Sequence, residues 1–326
     1  MDPVLERKQE RLFELLADMG DVLVAYSGGT DSAYLAWAAT RVLGTKALAV
    51  TADSASIPES HKRDAIAFAA QFGIRHRMVK TGEFENPEYT RNDSNRCFHC
   101  KDELFNRMNE IGAELRVGTI AYGVNVDDTS DFRPGHRAAD KHSVRAPLLE
   151  AGLAKSDIRE LSRTAGLPTW DRPAAACLSS RIPYGTQVTP ENLRQVELAE
   201  EALARLGFRI YRVRHHGTLA RIEIGRDELP KALSLDMAEA LVETFREIGY
   251  QYVTLDLAGY RQGSLNEVLE GEAFRILQQE PQAMPARFRR APDAMARELL
   301  PLARNRRATS DSSTIQCSML DNRQIY

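Results

Sequence analysis

The sequence predicts an α/β protein: a parallel sheet covered by helices on both faces, followed by a smaller α+β domain. Short apolar runs alternate with helix-length amphipathic runs over roughly the first 170 residues, a rhythm typical of a parallel sheet. After roughly residue 185 the rhythm changes to a helix, a hairpin, a second helix and a strand. The longest apolar runs, such as "DVLVAY", are strand-sized and too short to cross a bilayer.

The first part of the chain contains four predicted strands and the helices between them. The strands are the apolar runs at 22–26, 47–51, 76–81 and 119–125, and the main helices are 31–43, 59–72, 97–111 and 156–165. Gly73 and Gly166 follow two of these helices, where glycine commonly ends a helix. Ser156 is the predicted N-cap of the last one. The run "MDPVLERKQERLFELL" predicts a further amphipathic helix at the start of the chain.

The second part begins with a helix from Thr189 to Leu206, opened by Thr189 as N-cap and Pro190 as first helical residue. The run "FRIYRVRHHGTLARIEIG" alternates like a hairpin, and a helix near 237–248 and the strand "YQYVTLDLAG" follow. These patterns divide the chain into a sheet domain (1–172), a cysteine-bearing loop (173–188), an α+β domain (189–270) and a tail expected to be poorly ordered (271–326).

Composition excludes several classes of function. The formal net charge is −3 with both signs interspersed, so the chain has no electrostatic bias toward nucleic acid or a membrane surface. The N-terminus has no apolar signal-peptide centre, which predicts a cytoplasmic protein. Four cysteines in such a chain predict metal binding or catalysis rather than a disulfide framework.

The run "VLVAYSGGTDSAYLAWAA" contains the most specific motif. A buried strand leads directly into Ser27-Gly28-Gly29-Thr30-Asp31-Ser32, and a helix begins at once. Glycines let the backbone turn so that its N–H groups converge on an anion at the helix N-terminus, and the hydroxyls can add hydrogen bonds. The motif is neither of the two commonest nucleotide loops. The alternative is a tight strand-to-helix connection without a ligand.

The cysteines form a second group of candidate residues. Cys97 and Cys100 in "NRCFHCK" can hold a metal ion or form a redox dithiol, and the alternative is that they have no function. A zinc site would need further ligands, for which His99, His136 and His142 are irregularly placed.

Cys177, in "RPAAACLSSRIPYG", is the third thiol. Three thiolates on an iron–sulfur cluster leave one iron open for sulfide or substrate, and Cys317 in the tail is not expected to be a fourth ligand. Arg172 and Arg181 flank Cys177 and favour its thiolate, unless they only solvate the loop.

The S-G-G-x-D-S string resembles the pyrophosphatase loop (PP-loop) of the ATP-dependent adenylating enzymes, which include GMP synthetase, NAD synthetase and the tRNA thiolation enzymes. This resemblance implies that residues 1–172 are a Rossmann-like PP-loop domain that cleaves ATP between the α- and β-phosphates. It also implies that Ala52 and Asp53 lie near adenine and ribose and that Gly123 approaches the nucleotide. Asp127 and Asp128 could hold Mg²⁺, although such a pair is often only solvated.

The loop, the C-x-x-C, "ACLSSRIPYG" and "YRVRHHG" occur together in one order over about residues 5 to 270, and in this they resemble the LarE family of ATP-dependent sulfur transferases. In that family a carboxylate of a pyridinium biscarboxylic acid mononucleotide attacks ATP, and sulfur then displaces AMP. The product serves the nickel-pincer cofactor of lactate racemase. The resemblance assigns phosphate binding to Ser27–Ser32 and sulfur transfer to Cys177. It places Ser180 and Arg181 beside Cys177 and the substrate phosphate. It also assigns substrate-phosphate binding to Arg212 and Arg214, with Glu200 as their polar partner. For the two strand arginines, an exposed strand face is the alternative.

Two forms of the family imply different sulfur sources. In the sacrificial form, Cys177 attacks the acyl-adenylate and loses its own sulfur, and such members lack the C-x-x-C. The C-x-x-C present here resembles the form with a [4Fe-4S] cluster on Cys97, Cys100 and Cys177, which the sequence favours. The family also tends to form homo-oligomers.

Three other functions stay open at this level. A tRNA thiolation enzyme would share the loop and three cysteines, but the chain lacks a basic face for the phosphate backbone. A nucleotide-binding module with a structural zinc at Cys97 and Cys100 is a second alternative. An amidating enzyme is a third, and it would leave the Cys177 loop unexplained.

Overall fold

The computed structural model describes residues 2–130, 135–172 and 176–261, which lie within one compact unit, Met1–Gln282. The predicted tail and Cys317 lie outside the described residues, as do the domain limits at 173 and 270. No helix among the described residues is both long and apolar enough to cross a membrane.

The described residues form helices and strands that follow the predicted rhythm. The helices are α1 Pro3–Met19, α2 Thr30–Leu43, α3 Glu59–Gln71, α4 Pro87–Thr90, α5 Arg96–Leu115, α6 Gly135–Lys141, α7 Pro147–Glu150, α8 Lys155–Thr164, α9 Pro190–Arg205, α10 Leu229–Ala232 and α11 Leu235–Glu247. The strands are β1 Val22–Ala25, β2 Ala47–Asp53, β3 His76–Lys80, β4 Ile120–Tyr122, β5 Tyr211–His216, β6 Leu219–Ile224 and β7 Tyr252–Leu255.

The first sheet has the strand order β3-β2-β1-β4, and all of its strands are parallel. Side chains alternate along its central strands, as the pleat requires. Val22 and Val24 pack with helices α1, α2, α3 and α8 on one face, while Leu23 packs with α5 and α6 on the other. Helices therefore cover both faces, which confirms the predicted architecture.

The second sheet has the order β5-β6-β7, with β5 and β6 antiparallel and β6 and β7 parallel. Its core contains Val213 and Ile222 from the hairpin, Leu203 from α9, and Leu241 and Phe245 from α11. The predicted helix–hairpin–helix–strand order is confirmed, and Thr189 caps α9 by accepting the Asn192 amide at 3.2 Å.

The prediction was wrong in its local details at helix α8 and in the short helices. Ala154, not Ser156, is the N-cap of α8. The carboxylate of Asp157, in the first turn, accepts a hydrogen bond from the Ala154 amide at 3.0 Å, so the helix start does not need a serine cap. Four short helices, α4, α6, α7 and α10, had no periodic pattern long enough to predict them.

Candidate nucleotide and thiol site

The loop between β1 and α2 has the shape of an anion-binding turn. Gly28 has φ +77°, which a side chain would strain, and α2 begins two residues later at Thr30. The Ser32 hydroxyl accepts the Ser27 amide at 3.2 Å and donates to the Gly29 carbonyl at 3.1 Å, so it fixes the turn from within. The unpaired amides of the first helical turn therefore start directly after a rigid loop.

The three hydroxyl residues of the loop have different surroundings. The Thr30 hydroxyl is buried and donates to the Thr169 carbonyl at 2.7 Å. The Ser32 hydroxyl is also buried, whereas Ser27 is exposed. Ser27 is the exposed residue of the three, with its hydroxyl 3.0 Å from that of Ser32, and we expect it to be the most available to a phosphate.

Gly123 follows β4 and touches the start of α2. A Cβ at this position would lie 2.9 Å from the Ser32 backbone nitrogen and 3.0 Å from its Cα. Only glycine permits this approach, so Gly123 sets the position of the phosphate loop. Whether it also faces a nucleotide stays a prediction.

The end of β2 supplies Ala52 and Asp53, the residues predicted near the nucleoside. The Asp53 carboxylate accepts from the buried Lys62 ammonium at 2.8 Å, and the same ammonium donates to Glu59 at 2.7 Å. Ala52 precedes Asp53 at the carboxyl end of the strand, the edge at which ligands bind parallel sheets.

The Asp31 carboxylate lies in the first turn of α2 and is influenced by the charge of Asp128. Burial raises the pKa of Asp31 to about 6; the positive charge of Lys155 opposes the rise and the negative charge of Asp128 adds to it. Asp31 Oδ1 is buried and has no hydrogen-bond partner among the described residues. Asp127 instead accepts the Lys155 backbone amide at 2.6 Å. Asp128, rather than Asp127, is the aspartate of the pair that interacts with Asp31.

The chain around Cys177 is fastened to the carboxyl end of the first sheet. Arg172 donates to the Gly28 carbonyl at 2.9 Å and to Asp64 at 2.9 Å, which joins it to the phosphate loop. The Leu178 amide donates to the Ser56 carbonyl, just after β2, at 2.8 Å. The segment that bears the thiol is thus attached beside the loop that the sequence predicts to hold ATP.

Arg181 and Glu200 hold the same segment from the side of α9. Arg181 makes a two-pronged pair with Glu200 at 2.9 and 3.0 Å and is almost fully buried. It also donates to the Cys177 carbonyl at 2.9 Å and to the Ser180 hydroxyl at 2.9 Å. Glu200 in turn accepts the Val213 amide at 3.1 Å. This pair fixes the segment between α9 and β5.

Of the two predicted anion-binding arginines of β5, Arg214 contacts the same segment. Arg214 is nearly buried; it donates to the Ser180 carbonyl at 3.0 Å and pairs with the buried Glu223 at 2.6 Å. The Arg212 guanidinium lies over the Tyr260 ring at 5.3 Å. Burial, followed by the charge of Arg181, lowers the pKa of Arg212.

Cys97 and Cys100 lie in the first turn of α5, and the structure brings them near Cys177. Cys100 packs against a small core that includes Leu178 and Ile182 from the Cys177 segment. Burial raises the pKa of the Cys100 thiol well above its ordinary value, and the Glu83 carboxylate and the other two thiols raise it further. All three cysteines are free thiols.

These three thiols do not yet form a metal site as the structure stands. Within the described residues, no group of three or more His, Cys, Asp or Glu side chains is arranged to hold a metal ion. Of the candidate histidines, His142 bonds to Asp102 at 2.7 Å and to Asn109 at 2.9 Å. The thiols interact electrostatically, but the ligand geometry of a cluster is not shown.

Sequence reasoning missed Arg96 and Asn92, which tie the chain before the C-x-x-C to the segment that follows Cys177. Arg96 is 5% exposed, donates to the Ser179 carbonyl at 2.8 Å and to the Asn92 side chain, and lies 5.7 Å from the Tyr184 ring centre. Asn92 is fully buried with φ +61° and donates to the Pro183 and Thr186 carbonyls at 2.8 Å each. Neither has a local motif; the only signal was that Arg96 directly precedes the C-x-x-C.

The sheet order, the serine–glycine loop and the Asp31 carboxylate define a nucleotide-binding α/β enzyme of the PP-loop class. No family model matches the chain. It is 33% identical over 266 residues to the pyridinium-3,5-bisthiocarboxylic acid mononucleotide synthase of Lactiplantibacillus plantarum, covering 81% of this chain and 96% of that protein. It is 44% identical over 266 residues to the uncharacterized protein slr1717 of Synechocystis, covering 82% and 99%.

A third relative is the tRNA(Ile)-lysidine synthase of Bradyrhizobium, at 41% identity over 300 residues, or 85% of this chain and 75% of that protein. This match agrees with the PP-loop class. The chain belongs to the LarE family of pyridinium-3,5-bisthiocarboxylic acid mononucleotide synthases, which are ATP-dependent sulfur transferases.

Proposed function

We propose that this enzyme adenylates a carboxylate of pyridinium-3,5-biscarboxylic acid mononucleotide and replaces the AMP by sulfur that passes through Cys177. The observation that carries the proposal is the attachment of the Cys177 segment. It is tied to the phosphate loop through Arg172 and Gly28, and it packs against Cys100 through Leu178. Activation and sulfur delivery would therefore take place at neighbouring positions.

The first step would use the phosphate loop. The substrate carboxylate attacks the α-phosphorus of ATP, an acyl-adenylate forms, and pyrophosphate leaves. The Ser27 hydroxyl and the amides at the start of α2 would bind the phosphates. Asp31 and Asp128 fit a Mg²⁺ ion, because Asp31 has a buried oxygen without a partner and Mg²⁺ is commonly held by one or two carboxylates plus phosphate oxygens. When bound, Mg²⁺ would neutralise the phosphate charge.

The arginines of β5 would bind the substrate phosphate. Arg212 and Arg214 lie near Arg181. Arg214 and Arg181 also donate to main-chain carbonyls of the Cys177 segment. A phosphate placed there would bring the nucleotide's ring carboxylates toward the thiol. Glu200 would hold Arg181 in place rather than contact substrate, since both of its oxygens already bond to Arg181.

The second step has two balanced forms. In the sacrificial form, the Cys177 thiolate attacks the acyl carbon and AMP leaves, which gives a thioester. Loss of the Cα proton to a base and breakage of the Cβ–S bond then release the thiocarboxylate and leave dehydroalanine. In the other form the Cys177 side chain stays intact, and Cys97, Cys100 and Cys177 would hold an iron–sulfur cluster whose chemistry is the supply of sulfide. The described thiols lack the geometry of such a cluster.

Intact-protein mass spectrometry after incubation with ATP, Mg²⁺ and the biscarboxylic mononucleotide tests the proposal. Thiocarboxylate formation with loss of the mass of one hydrogen sulfide molecule from the Cys177 peptide supports the sacrificial form. Product with unchanged protein mass and bound iron supports the cluster form. A Cys97→Ala variant should keep one turnover in the first case and none in the second, with Cys317→Ala as the matched control. Full activity of a Cys177→Ser variant would contradict both.

The alternative of tRNA thiolation is tested in the same preparation. If tRNA binding is salt-dependent and tRNA, but not the mononucleotide, stimulates AMP release, the small-molecule assignment is wrong. A cytoplasmic location and a homo-oligomeric state are part of the proposal and follow from the family alone.

A further inference from the structure

A buried carboxylate joins the ends of strands β2 and β3, and only one of its oxygens is satisfied. Glu83 follows β3 and is 2% exposed. Its Oε1 atom accepts hydrogen bonds from the Ser54 hydroxyl and, at 3.4 Å, from the Ser56 hydroxyl, both just after β2. Its Oε2 atom is buried without a hydrogen-bond partner among the described residues. A buried carboxylate in this state costs stability, so a stabilising role does not explain its presence.

The two serines belong to a buried turn, residues 54–57, which Glu83 orders. The Ser54 carbonyl accepts the Ile57 amide at 3.2 Å, and the Ser54 hydroxyl oxygen accepts the Ser56 amide at 3.0 Å. The Ser54 hydroxyl has a single proton, which it donates to Glu83, so its lone pairs face the Ser56 amide and the Ser56 hydroxyl, the latter at 2.8 Å. Glu83 therefore sets the direction of the Ser54 hydroxyl and holds the turn through it.

The turn 54–57 connects the two halves of the site. It begins directly after Asp53, the residue predicted to lie near the nucleoside. Its Ser56 carbonyl accepts the Leu178 amide at 2.8 Å, and Leu178 is the residue directly after Cys177. The Phe84 side chain, next to Glu83, packs against the small core that contains Leu178. One short turn therefore carries both the predicted nucleoside contact and the group that holds the chain beside the thiol.

We propose that Glu83 is a positioning residue for sulfur transfer: through the turn 54–57 it fixes where Cys177 stands relative to the adenylated carboxylate. This role rests on the proposed function. In that reaction the acyl carbon bonded to AMP has to meet sulfur before water, because attack by water releases AMP and returns the original carboxylate. A turn that holds the two partners at a fixed separation lowers the entropic cost of their encounter.

Hydrogen exchange at the Leu178 amide, in protein without substrate, measures the positioning directly. In Glu83→Met, which keeps the side-chain length but accepts no such hydrogen bond, this amide should exchange about tenfold faster, as for the loss of one hydrogen bond to a charged group. Glu83→Gln, whose amide oxygen can still accept from Ser54, should retain most of the protection. The amide of Val24, in the buried strand β1, should not exchange faster, which excludes general destabilisation. Glu85→Met, at an exposed glutamate of the same connection, is the matched control and should leave the Leu178 amide unchanged.

The second measurement is the number of thiocarboxylates formed per AMP released, with ATP, Mg²⁺ and the biscarboxylic mononucleotide. Glu83→Met should still release AMP, but its ratio should fall by about the factor by which the Leu178 exchange rises. Glu83→Gln should restore most of the ratio. An enzyme weakened only in its folding would lose AMP release and thiocarboxylate together, which leaves the ratio of the two intact.

Unchanged Leu178 exchange in a folded Glu83→Met protein would overturn the inference, and so would faster exchange with an unchanged ratio. If Glu83→Met does not fold, Ser54→Ala takes its place: it removes the acceptor of the Ser56 amide, and the absence of faster Leu178 exchange would again overturn the inference. Because the exchange measurement uses no substrate, this failure is distinct from failure of the proposed function, which would appear as absent AMP and thiocarboxylate in the wild-type assay.

Discussion

Replacing Asp31 by Asn should make the ligand-free protein more stable while removing its ATP-dependent activity. Asp31 is partly buried in the first turn of α2, close to the charge of Asp128, and its Oδ1 atom has no hydrogen-bond partner among the described residues. A carboxylate in such a place is destabilising, because the positive charge of Lys155 only partly offsets its burial. An amide of the same shape removes the charge and keeps the packing.

The magnitude follows from the pKa of Asp31, which burial raises from 3.8 to about 6. A carboxyl whose pKa is higher in the folded state favours folding below its unfolded pKa, and this contribution is lost as pH rises through the folded pKa. Wild type and Asp31→Asn should therefore differ in stability by less than about 1 kcal/mol near pH 4. By pH 8 the variant should be more stable by up to about 3 kcal/mol, since one pKa unit is worth about 1.36 kcal/mol.

Urea unfolding at several pH values between 4 and 8, in EDTA, measures this difference. Asp21→Asn is the control, because Asp21 is exposed and should give no pH-dependent gain. Adding Mg²⁺ and ATP should stabilise the wild type and leave Asp31→Asn unchanged, since the ligand binds the folded state only where the carboxylate is present. If Asp31→Asn is no more stable than wild type at pH 8 in EDTA, the reasoning about the buried carboxylate is refuted.

Two further substitutions test the supports of the site. Gly123→Ala should lower the free energy of unfolding by about 1–3 kcal/mol and weaken ATP binding in calorimetry, because its Cβ would lie 2.9 Å from backbone at the helix start. Gly118→Ala is the control, because a Cβ there meets open space, and it should change neither quantity. Equal effects of the two substitutions would refute the contact. Glu200→Gln should lower the free energy of unfolding by about 3 kcal/mol by leaving Arg181 buried without a counter-charge. Glu201→Gln is its control, and equal midpoints in denaturant would show that the pair is not needed.

The sequence predicted what depends on local pattern. The phosphate loop is six consecutive residues between a strand and a helix, so its shape follows from Gly28 and the helix start that comes after it. The strands were recognisable because both faces of the sheet are buried. Arg96 was missed because it is buried against the Ser179 carbonyl, 83 positions further along the chain, and periodicity carries no information about such a contact.

The same limit affected the interpretation of Arg172 and Arg181. Both flank Cys177 in the sequence, which suggested that they act on its sulfur. The structure gives their side chains carbonyl and carboxylate partners instead: Arg172 bonds to Gly28 and Asp64, and Arg181 to Glu200 and the Cys177 carbonyl. Nearness along the chain identified the right segment but could not show which groups each arginine binds.

The described part of the Cys177 segment explains how a reactive thiol can be held without a strand or long helix. Three arginines donate hydrogen bonds to its main-chain carbonyls: Arg181 to that of Cys177, Arg96 to that of Ser179 and Arg214 to that of Ser180. Each carbonyl that would otherwise need water is satisfied by a charged donor, and such bonds are stronger than neutral ones. These three arginine side chains thereby hold the backbone, and the Cys177 side chain is not needed to hold it. A segment built in this way can lose or exchange its sulfur without losing its position, which is what either route of sulfur transfer requires.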